Sequence, residues 1–369
     1  MNIFQPKTEA EVAQVIRETN RGLSVFGGGT RGVCERGGNS LETKGLSGII
    51  DYQPGALTMI AQAGTPLKEI AAALNQEGQR LPFEPIDSQA MLALGGSPTV
   101  GGAFAANISG PRRIQVGAAR DFLLGVRFVD GSGNILKSGG SVMKNVTGYD
   151  LVKLLAGSYG TLGVITQVAF KVLPIAETQS TLILEGLDDE TAINALTTAM
   201  NSPFDVSGAA HAPSEKQTYL RIEGFNESVL YRTEKLQAYL KKFGEAQVAN
   251  ATQSESLWSK IRNVDVFADK DADIWKLSVK PTTAPKIVSA IGFNQHLYDW
   301  SGGLIWGTLP KGSNPRQPLS KFGGHATRVR GKSGSIPKFQ PQSPLVADLS
   351  EKIRSKFDPR GILNAGLMG

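Results

Sequence analysis

Apolar residues at Val12, Val15 and Ile16 recur at helical spacing, and Thr8-Glu9-Ala10-Glu11 ahead of them has the form of a capping box. The pattern predicts a helix that Gly22 ends, then a short strand from Leu23 to Phe26 running into Gly27-Gly28-Gly29. Residues 48–52 and 57–63 read as two strands around the turn pair Pro54-Gly55. Thr65-Pro66 is a helix start, with Thr65 as N-cap and Pro66 at the first helical position. Leu67, Ile70, Ala71 and Leu74 then form one apolar face, closed by Gly78. Strands are expected at 121–129 and 135–138, a short helix from Asp150 to Ala156, and a long strand from Val164 that Pro174 stops. Beyond Pro174 short strands (181–185, 219–223, 275–279, 304–309) alternate with helical patterns (189–200, 228–242, 284–292), the signature of an α+β module. Residues 311–338 read as loop, a last helix spans 344–357, and no internal repeat is visible.

Composition narrows the function classes. The chain has 369 residues, enough for two domains, and 40% of them are hydrophobic. A net charge of +6, without a long Lys/Arg run, argues against a nucleic-acid arm and supports no more than a modest attraction to acidic ligands. The single cysteine, Cys34, excludes an intrachain disulfide framework and an iron–sulfur cluster built from this chain alone. The N-terminus lacks a signal-peptide pattern and no apolar run approaches the ~18 residues of a membrane span, so the expected location is the cytoplasm, with membrane attachment only through partner subunits. Glycine is uneven: 27 of the 43 lie in residues 1–170, which marks that half as the place where backbone meets a ligand.

Gly27-x-Gly29-x-x-Gly32 fits the dinucleotide fingerprint G-x-G-x-x-G. A Rossmann site, however, needs an amphipathic helix opening at the loop. Residues 33–39 carry two more glycines and no apolar periodicity, and the order is helix then strand. One alternative is a nest of main-chain N–H groups around an anion, with the Thr30 hydroxyl and the Arg31 charge beside it. The other is a glycine-rich hairpin without a ligand. Two further side-chain-poor stretches, Gly95 to Asn107 and Gly157 to Thr166, suit a ligand as long as a flavin dinucleotide better than a lone phosphate.

GGGT at 27–30, PTVGG at 98–102 and GSYGTLGVIT at 157–166, in that order, resemble the FAD-binding domain of the vanillyl-alcohol oxidase and p-cresol methylhydroxylase (PCMH) superfamily. GPRRIQVGAARDFLLGVRFVDGSGNILKSGG, KNVTGYDLVKLLAGSYGTLGV, LWSKIRNV, KLSVKPT, GHATRVRG and the tail FDPRGILNAG resemble the FAD-binding subunits of bacterial glycolate oxidases over essentially the whole chain. The resemblance implies an α+β fold. A two-lobed PCMH-type FAD-binding domain would span 1–175 and a smaller ferredoxin-like cap 176–335, with 336–369 returning to the FAD domain.

It also implies the site. Gly27, Gly28, Gly29 and Thr30 would hold the FAD diphosphate, with Arg31 adjoining. Pro98, Thr99, Val100, Gly101, Gly102, Ala106 and Asn107 would line the flavin and ribityl path. Gly160, Gly163, Val164 and Ile165 would contact the adenosine side or the flavin edge, and Asn364 would return near the isoalloxazine. The first loop has no histidine, so FAD is expected to be non-covalent. The implied partners are an iron–sulfur subunit and a second flavoprotein subunit, and the implied substrate is a small 2-hydroxy acid, glycolate.

Oxidising such an acid needs a base, a hydride path and a cation for the carboxylate. Only His211, His296 and His325 are available, none at metal-ligand spacing, and the histidine-rich signatures of the catalytic members of this branch are missing. No catalytic residue and no metal site is therefore assigned. The chain is expected to support the reaction within a complex. Two other readings stay open: a self-sufficient dehydrogenase using His325 as base and Arg328 as carboxylate clamp, and an assembly subunit without flavin chemistry. His325 and Arg328 are expected in a loop with solvated charges, and His211 and His296 as ordinary partly buried histidines. After Lys144-Asn145, Asp150 is expected as an N-cap and Tyr149 in the core.

Overall fold

Three parallel strands, Ile3–Phe4, Asn39–Glu42 and Leu23–Phe26 in that spatial order, open the fold. The computed structural model describes residues 2–31, 38–140, 149–331, 334 and 336–368. Helix Glu9–Glu18 buries Val12, Ala13 and Ile16 against Leu23, Leu41, Val129 and Val164. Its cap differs from a reciprocal box: the Thr8 hydroxyl accepts from the Glu11 amide at 3.2 Å, but the Glu11 carboxylate accepts from the Lys7 amide at 2.8 Å. The helix stops at Glu18, before Gly22, because no apolar position follows Ile16 on its buried face.

A five-stranded antiparallel sheet forms the second lobe, in the order Ile49–Gln53, Thr58–Gln62, Val164–Lys171, Leu123–Val129, Ile135–Gly139. Its core is aromatic. Phe104 lies 5.3 Å from Phe83 and 5.5 Å from Phe170, ring centre to ring centre, and all three are fully buried. Helix Leu67–Gln76 starts after Pro66, which is its N-cap; Thr65 is not the cap. The Thr65 hydroxyl accepts from the Gly48 amide and donates to the Gln62 carbonyl, tying the helix entry to the strands. The strand from Val164 ends at Lys171, and Leu173–Pro174 pairs separately with Gln79–Arg80.

The cap is one eight-stranded sheet made of two β-α-β-β-α-β units. In the first, Thr178–Glu185, Val206–Ala212, Gln217–Gly224 and Ala246–Ala249 lie in the order fourth, first, third, second. In the second, Asp273–Ser278, Gln295–Asp299, Leu304–Leu309 and His325–Arg330 lie second, third, first, fourth, and the units join where His211 faces Tyr298. The topology thus repeats although the sequence does not. Among the cap elements that lack a sequence signal are Val206–Ala212, Ala246–Ala249, Gln295–Asp299, His325–Arg330 and helix Ala251–Asn263. Val206–Ala212 is buried at every position, so it has no polar-apolar alternation to read. His325–Arg330 is a strand inside the expected 311–338 loop, because the edge of Asp273–Ser278 is there to pair with it.

The two halves interlock. Ile86, Met91 and Leu92 leave the first lobes and pack in the cap core with Trp258, Val264 and Phe267. The C-terminal segment returns to the first strands: the Leu23 amide donates to the Ile362 carbonyl at 2.7 Å and the Asn364 amide to the Leu23 carbonyl at 3.0 Å.

Charges close the seam between the halves. Arg221 donates twice to Glu84 at 3.0 Å and lies 4.7 Å over the Trp258 ring, while Glu223, two residues along the same strand face, meets Arg80 at 2.7 Å and Arg112. Burial opposes ionisation of Glu223, but the guanidiniums of Arg221, Arg112 and Arg80 outweigh it and hold the carboxyl well below its usual range. A carboxylate depressed in this way stabilises the fold above the unfolded pKa of ~4.3 and loses that contribution as pH falls. Glu223→Gln is expected to cost about 3–5 kcal/mol at neutral pH, since the buried Arg112 and the half-buried Arg80 lose their anion and Arg221 keeps only Glu84, and to weaken the loss of stability on acidification. Urea unfolding at pH 7 and pH 4 checks this; a variant with the parent's midpoint at pH 7 contradicts it.

Candidate functional site

The glycine loop after Leu23–Phe26 lies against the segment before helix Val100–Ala105, and the two approach at backbone distance. A Cβ on Gly28 would run into the Ser97 carbonyl, one on Gly27 into the Thr99 hydroxyl, and one on Gly96 into the Gly28 carbonyl. Gly29 has φ +71°, a left-handed backbone that favours glycine. Among the described residues, the amides of Gly28, Gly29 and Thr30 have no hydrogen-bond acceptor. Thr99 caps the short helix by accepting from the Gly102 amide at 3.2 Å. The Val100 amide donates to Thr65 at 2.9 Å and the Gly101 amide to Ala63 at 2.8 Å. The opposed segments leave a cleft of about 760 Å³, counting its solvent-open side.

Most of the residues assigned from sequence meet at this cleft. Gly27 to Arg31 line one wall, Pro98, Thr99, Gly101, Gly102 and Ala106 another, and Gly160, Gly163 and Ile165 a third. Four do not line it. Val100 is fully buried in the aromatic core and Val164 in the core under the first helix. Asn107, at φ +48°, accepts from the Arg120 amide at 3.0 Å. Asn364 accepts from the Val25 amide at 2.8 Å and donates to Val25 and Tyr159 carbonyls, so it holds two walls of the cleft together from behind. Arg31 lines the cleft, but its guanidinium is turned to Ser88 Oγ at 2.7 Å and the Ile86 carbonyl at 2.9 Å. Val25, Phe26, Thr43 and Ala63 also line the cleft and carried no sequence motif, and so does Tyr159, which lies in GSYGTLGVIT but was given no role.

Six residues separate Arg31 from Gly38 and a strand begins at Asn39. Gly32, Cys34, Lys144 and Asn145 lie outside the described residues. Asp150 is the N-cap of helix Leu151–Leu155, its carboxylate accepting from Lys153. Tyr149 is 92% exposed and not in the core, because the chain reaches it before the helix turns inward. Among the described residues no cluster of His, Cys, Asp and Glu is arranged to hold a metal.

His325 and Arg328 do not form one site. They stand three apart on the strand and so face opposite sides of the sheet. Arg328 is 9% exposed and lies on the side of Trp275. His325 is partly exposed on the other side; burial, then Lys276 and Arg113, hold its imidazole below the ordinary value. His211 is fully buried against Thr218 at 2.9 Å, and His296 meets Asp189 at 2.8 Å, so both belong to the cap's own polar network. Sequence reasoning missed Lys276. Its ammonium lies 5.3 Å from the Trp300 ring centre and 5.6 Å from that of Trp306. Burial first, then Arg113 and Arg31, push the amine down to about 8. The buried Asp299 on the same sheet face is pushed up to about 7, mainly by burial.

The comparisons agree with this geometry. Residues 2–139 match a family described as "FAD binding domain". The chain is 34% identical over 333 residues to the glycolate oxidase subunit GlcE of Escherichia coli, covering 90% of this chain and 87% of that one. Against the glycolate oxidase subunit GlcD of Bacillus subtilis it is 31% identical over 188 residues, 49% of this chain and 38% of the other. Against a D-lactate dehydrogenase of Anaerostipes hadrus it is 31% identical over 196 residues, 51% and 40%. It therefore spans well under half of these last two. An alkyldihydroxyacetonephosphate synthase structure superposes with TM-score 0.73 at 16% identity, over 99% of this chain and 75% of that one, and so shares the fold. The cleft built on Gly27–Thr30 and Pro98–Gly102 thus lies in an FAD-binding domain, and the chain belongs to the GlcE family of glycolate oxidase subunits, within the FAD-dependent hydroxy-acid oxidoreductases.

Proposed function

We propose that this chain is the FAD-binding subunit of a glycolate oxidase complex. It oxidises glycolate, and D-lactate as a second substrate, to the 2-oxo acid, and electrons leave to an iron–sulfur subunit beside a second flavoprotein subunit. The observation that carries the reading is the meeting of unpartnered Gly28 to Thr30 amides with the Cβ-poor 97–102 segment. That cradle suits a diphosphate held by main-chain N–H groups, with a long aromatic coenzyme lying along the wall. Bound non-covalently, FAD would supply the acceptor for the hydride, which carries the two electrons, from the substrate carbon. Gly27 to Thr30 orient the diphosphate, Pro98, Thr99, Gly101 and Gly102 exclude water from one side, and Gly160 and Ile165 close the other. The lone cysteine, Cys34, leaves onward transfer to another chain.

Functional units at 1–175, 176–335 and 336–369 follow from this reading. So does a cytoplasmic location, with any membrane attachment coming through partner subunits; among the described residues no helix is long and apolar enough to cross a membrane. A second reading, a self-sufficient 2-hydroxy-acid dehydrogenase, is favoured by one observation. Lys276 and Arg113, rather than His325 with Arg328, converge on Trp300, which is bonded to Gly110 four residues beyond Ala106 of the cleft wall.

Purification of the tagged chain, alone and with its partners, followed by visible spectra before and after glycolate, tests both. The complex is expected to be yellow and to bleach with glycolate; bleaching of the isolated chain selects the self-sufficient reading. A colourless preparation that FAD cannot reconstitute overturns both. Gly28→Ala places a methyl against the Ser97 carbonyl and is expected to weaken FAD binding at least about tenfold, the factor that ~1.4 kcal/mol carries. Flavin-to-protein ratio after gel filtration measures it, and a parent-like ratio contradicts the cradle.

A further inference from the structure

Lys276 and Arg113 come from different halves of the molecule and converge on one indole. Arg113 follows the buried Arg112 and places its guanidinium carbon 4.6 Å from the Trp300 ring centre. Lys276, in the middle of the cap strand Asp273–Ser278, places its ammonium 5.3 Å from the same ring. Trp300 is itself fixed by donating its ring N–H to the Gly110 carbonyl at 3.0 Å, three residues before Arg113.

Neither cation is ion-paired to a carboxylate, although Asp299 acts on Lys276 and Asp121 on Arg113 from farther away. Among the described residues neither Lys276 Nζ nor the Arg113 guanidinium makes a hydrogen bond or ion pair with a side chain or carbonyl. Arg80, Arg112 and Arg221 at the seam, by contrast, are all matched by Glu84 or Glu223. The charges that act on Lys276 are Arg113, Arg31 and Asp299, and His325 adds a further basic group on the same face. Asp299 lies on the same sheet face as Lys276, paired through Leu304 to Ser278, and its carboxylate accepts from the Trp300 amide at 2.7 Å. Gly110, to which Trp300 donates, stands four residues beyond Ala106 of the cleft wall, so the cationic pair is anchored to the segment that leaves that wall.

Two cations held together against one indole ring repel metal ions and attract an anion, and their partial burial strengthens the attraction. A guanidinium fork matches the two oxygens of a carboxylate, and an ammonium adds a point charge at one of them. We propose that Lys276 and Arg113, converging on Trp300, form the subsite that binds the carboxylate of a small 2-hydroxy or 2-oxo acid beside the flavin cleft. This rests on the oxidoreductase reading above for the identity of the acid, but the binding step itself needs no turnover.

Oxalate, a small dicarboxylate that the reaction does not consume, is the probe. The full-length chain loaded with FAD is titrated with oxalate and followed by the flavin difference spectrum and by calorimetry. The parent is expected to bind. Lys276→Met and Arg113→Met are each expected to raise Kd at least about tenfold, ~1.4 kcal/mol, with Lys276→Arg recovering part of the loss. FAD-loaded variants that bind oxalate as the parent does, or a parent that does not bind it, overturn the subsite. If either Met variant loses FAD, the parent decides alone: oxalate should protect Lys276 from acylation by acetic anhydride in peptide mapping, and an equally modified Lys276 overturns the assignment. Oxalate binding that depends on Lys276, together with a flavin that glycolate never bleaches, leaves the subsite standing and removes only the oxidoreductase reading.

Discussion

The structure depends on one close approach, the contact of the glycine loop at 27–29 with the backbone at 96–99. Side chains cannot mediate it, since a Cβ on Gly27, Gly28 or Gly96 would occupy space already held by main chain or by Thr99. Both partners are instead held from behind. The loop leaves a parallel strand that the C-terminal segment pairs with, and Asn364 bridges that strand to Tyr159. The 96–99 segment is fixed by the Val100 and Gly101 amides bonding to Thr65 and Ala63, and by Phe104 sunk among Phe83 and Phe170. A packed aromatic core tolerates little displacement, so the 96–99 wall of the cleft is held by the core behind it.

The cap is placed by charge and by exchange of core residues rather than by a broad apolar face. Arg221 and Glu223 project from one side of a cap strand onto Glu84, Arg80 and Arg112, while Ile86, Met91 and Leu92 enter the cap core. Arg80, Arg112 and Arg221 are all matched by Glu84 or Glu223, which is the condition under which buried charge is tolerated. The same placement brings Trp300 of the cap over Gly110 and Arg113 of the first half. The unmatched cations Lys276 and Arg113 therefore stand out against a neighbourhood in which charge is otherwise balanced.

Particular elements show where the chain could be read directly. The helices Asp189–Met200 and Pro344–Phe357 and the strands Leu23–Phe26 and Leu304–Leu309 lie where their patterns place them, because each carries a local period or cap of its own. The ordered motifs GGGT, PTVGG and GSYGTLGVIT pointed to the cleft for a related reason: glycine and small residues are required wherever backbone must approach backbone, whatever the rest of the fold does. Within those motifs the individual roles were less legible. Val100 and Val164 share the composition of their neighbours, and only their direction, toward the core, separates them from Thr99 and Gly163. Thr65 has the chemistry of an N-cap, yet its hydroxyl serves the strand before it.

By itself the sequence determined the class of the molecule, the coenzyme and the stretches of backbone that line the cleft, since these follow from local composition and from an ordered set of motifs. Tertiary structure alone decided what faces what. Strand alternation separates His325 from Arg328 although three residues divide them, and pairing at the sheet edge makes a strand of His325–Arg330 where composition reads loop. Lys276 and Arg113, 163 positions apart, meet only because the cap's sheet folds back over the first lobes. Such contacts depend on the geometry of distant segments, and no local period or spacing encodes them.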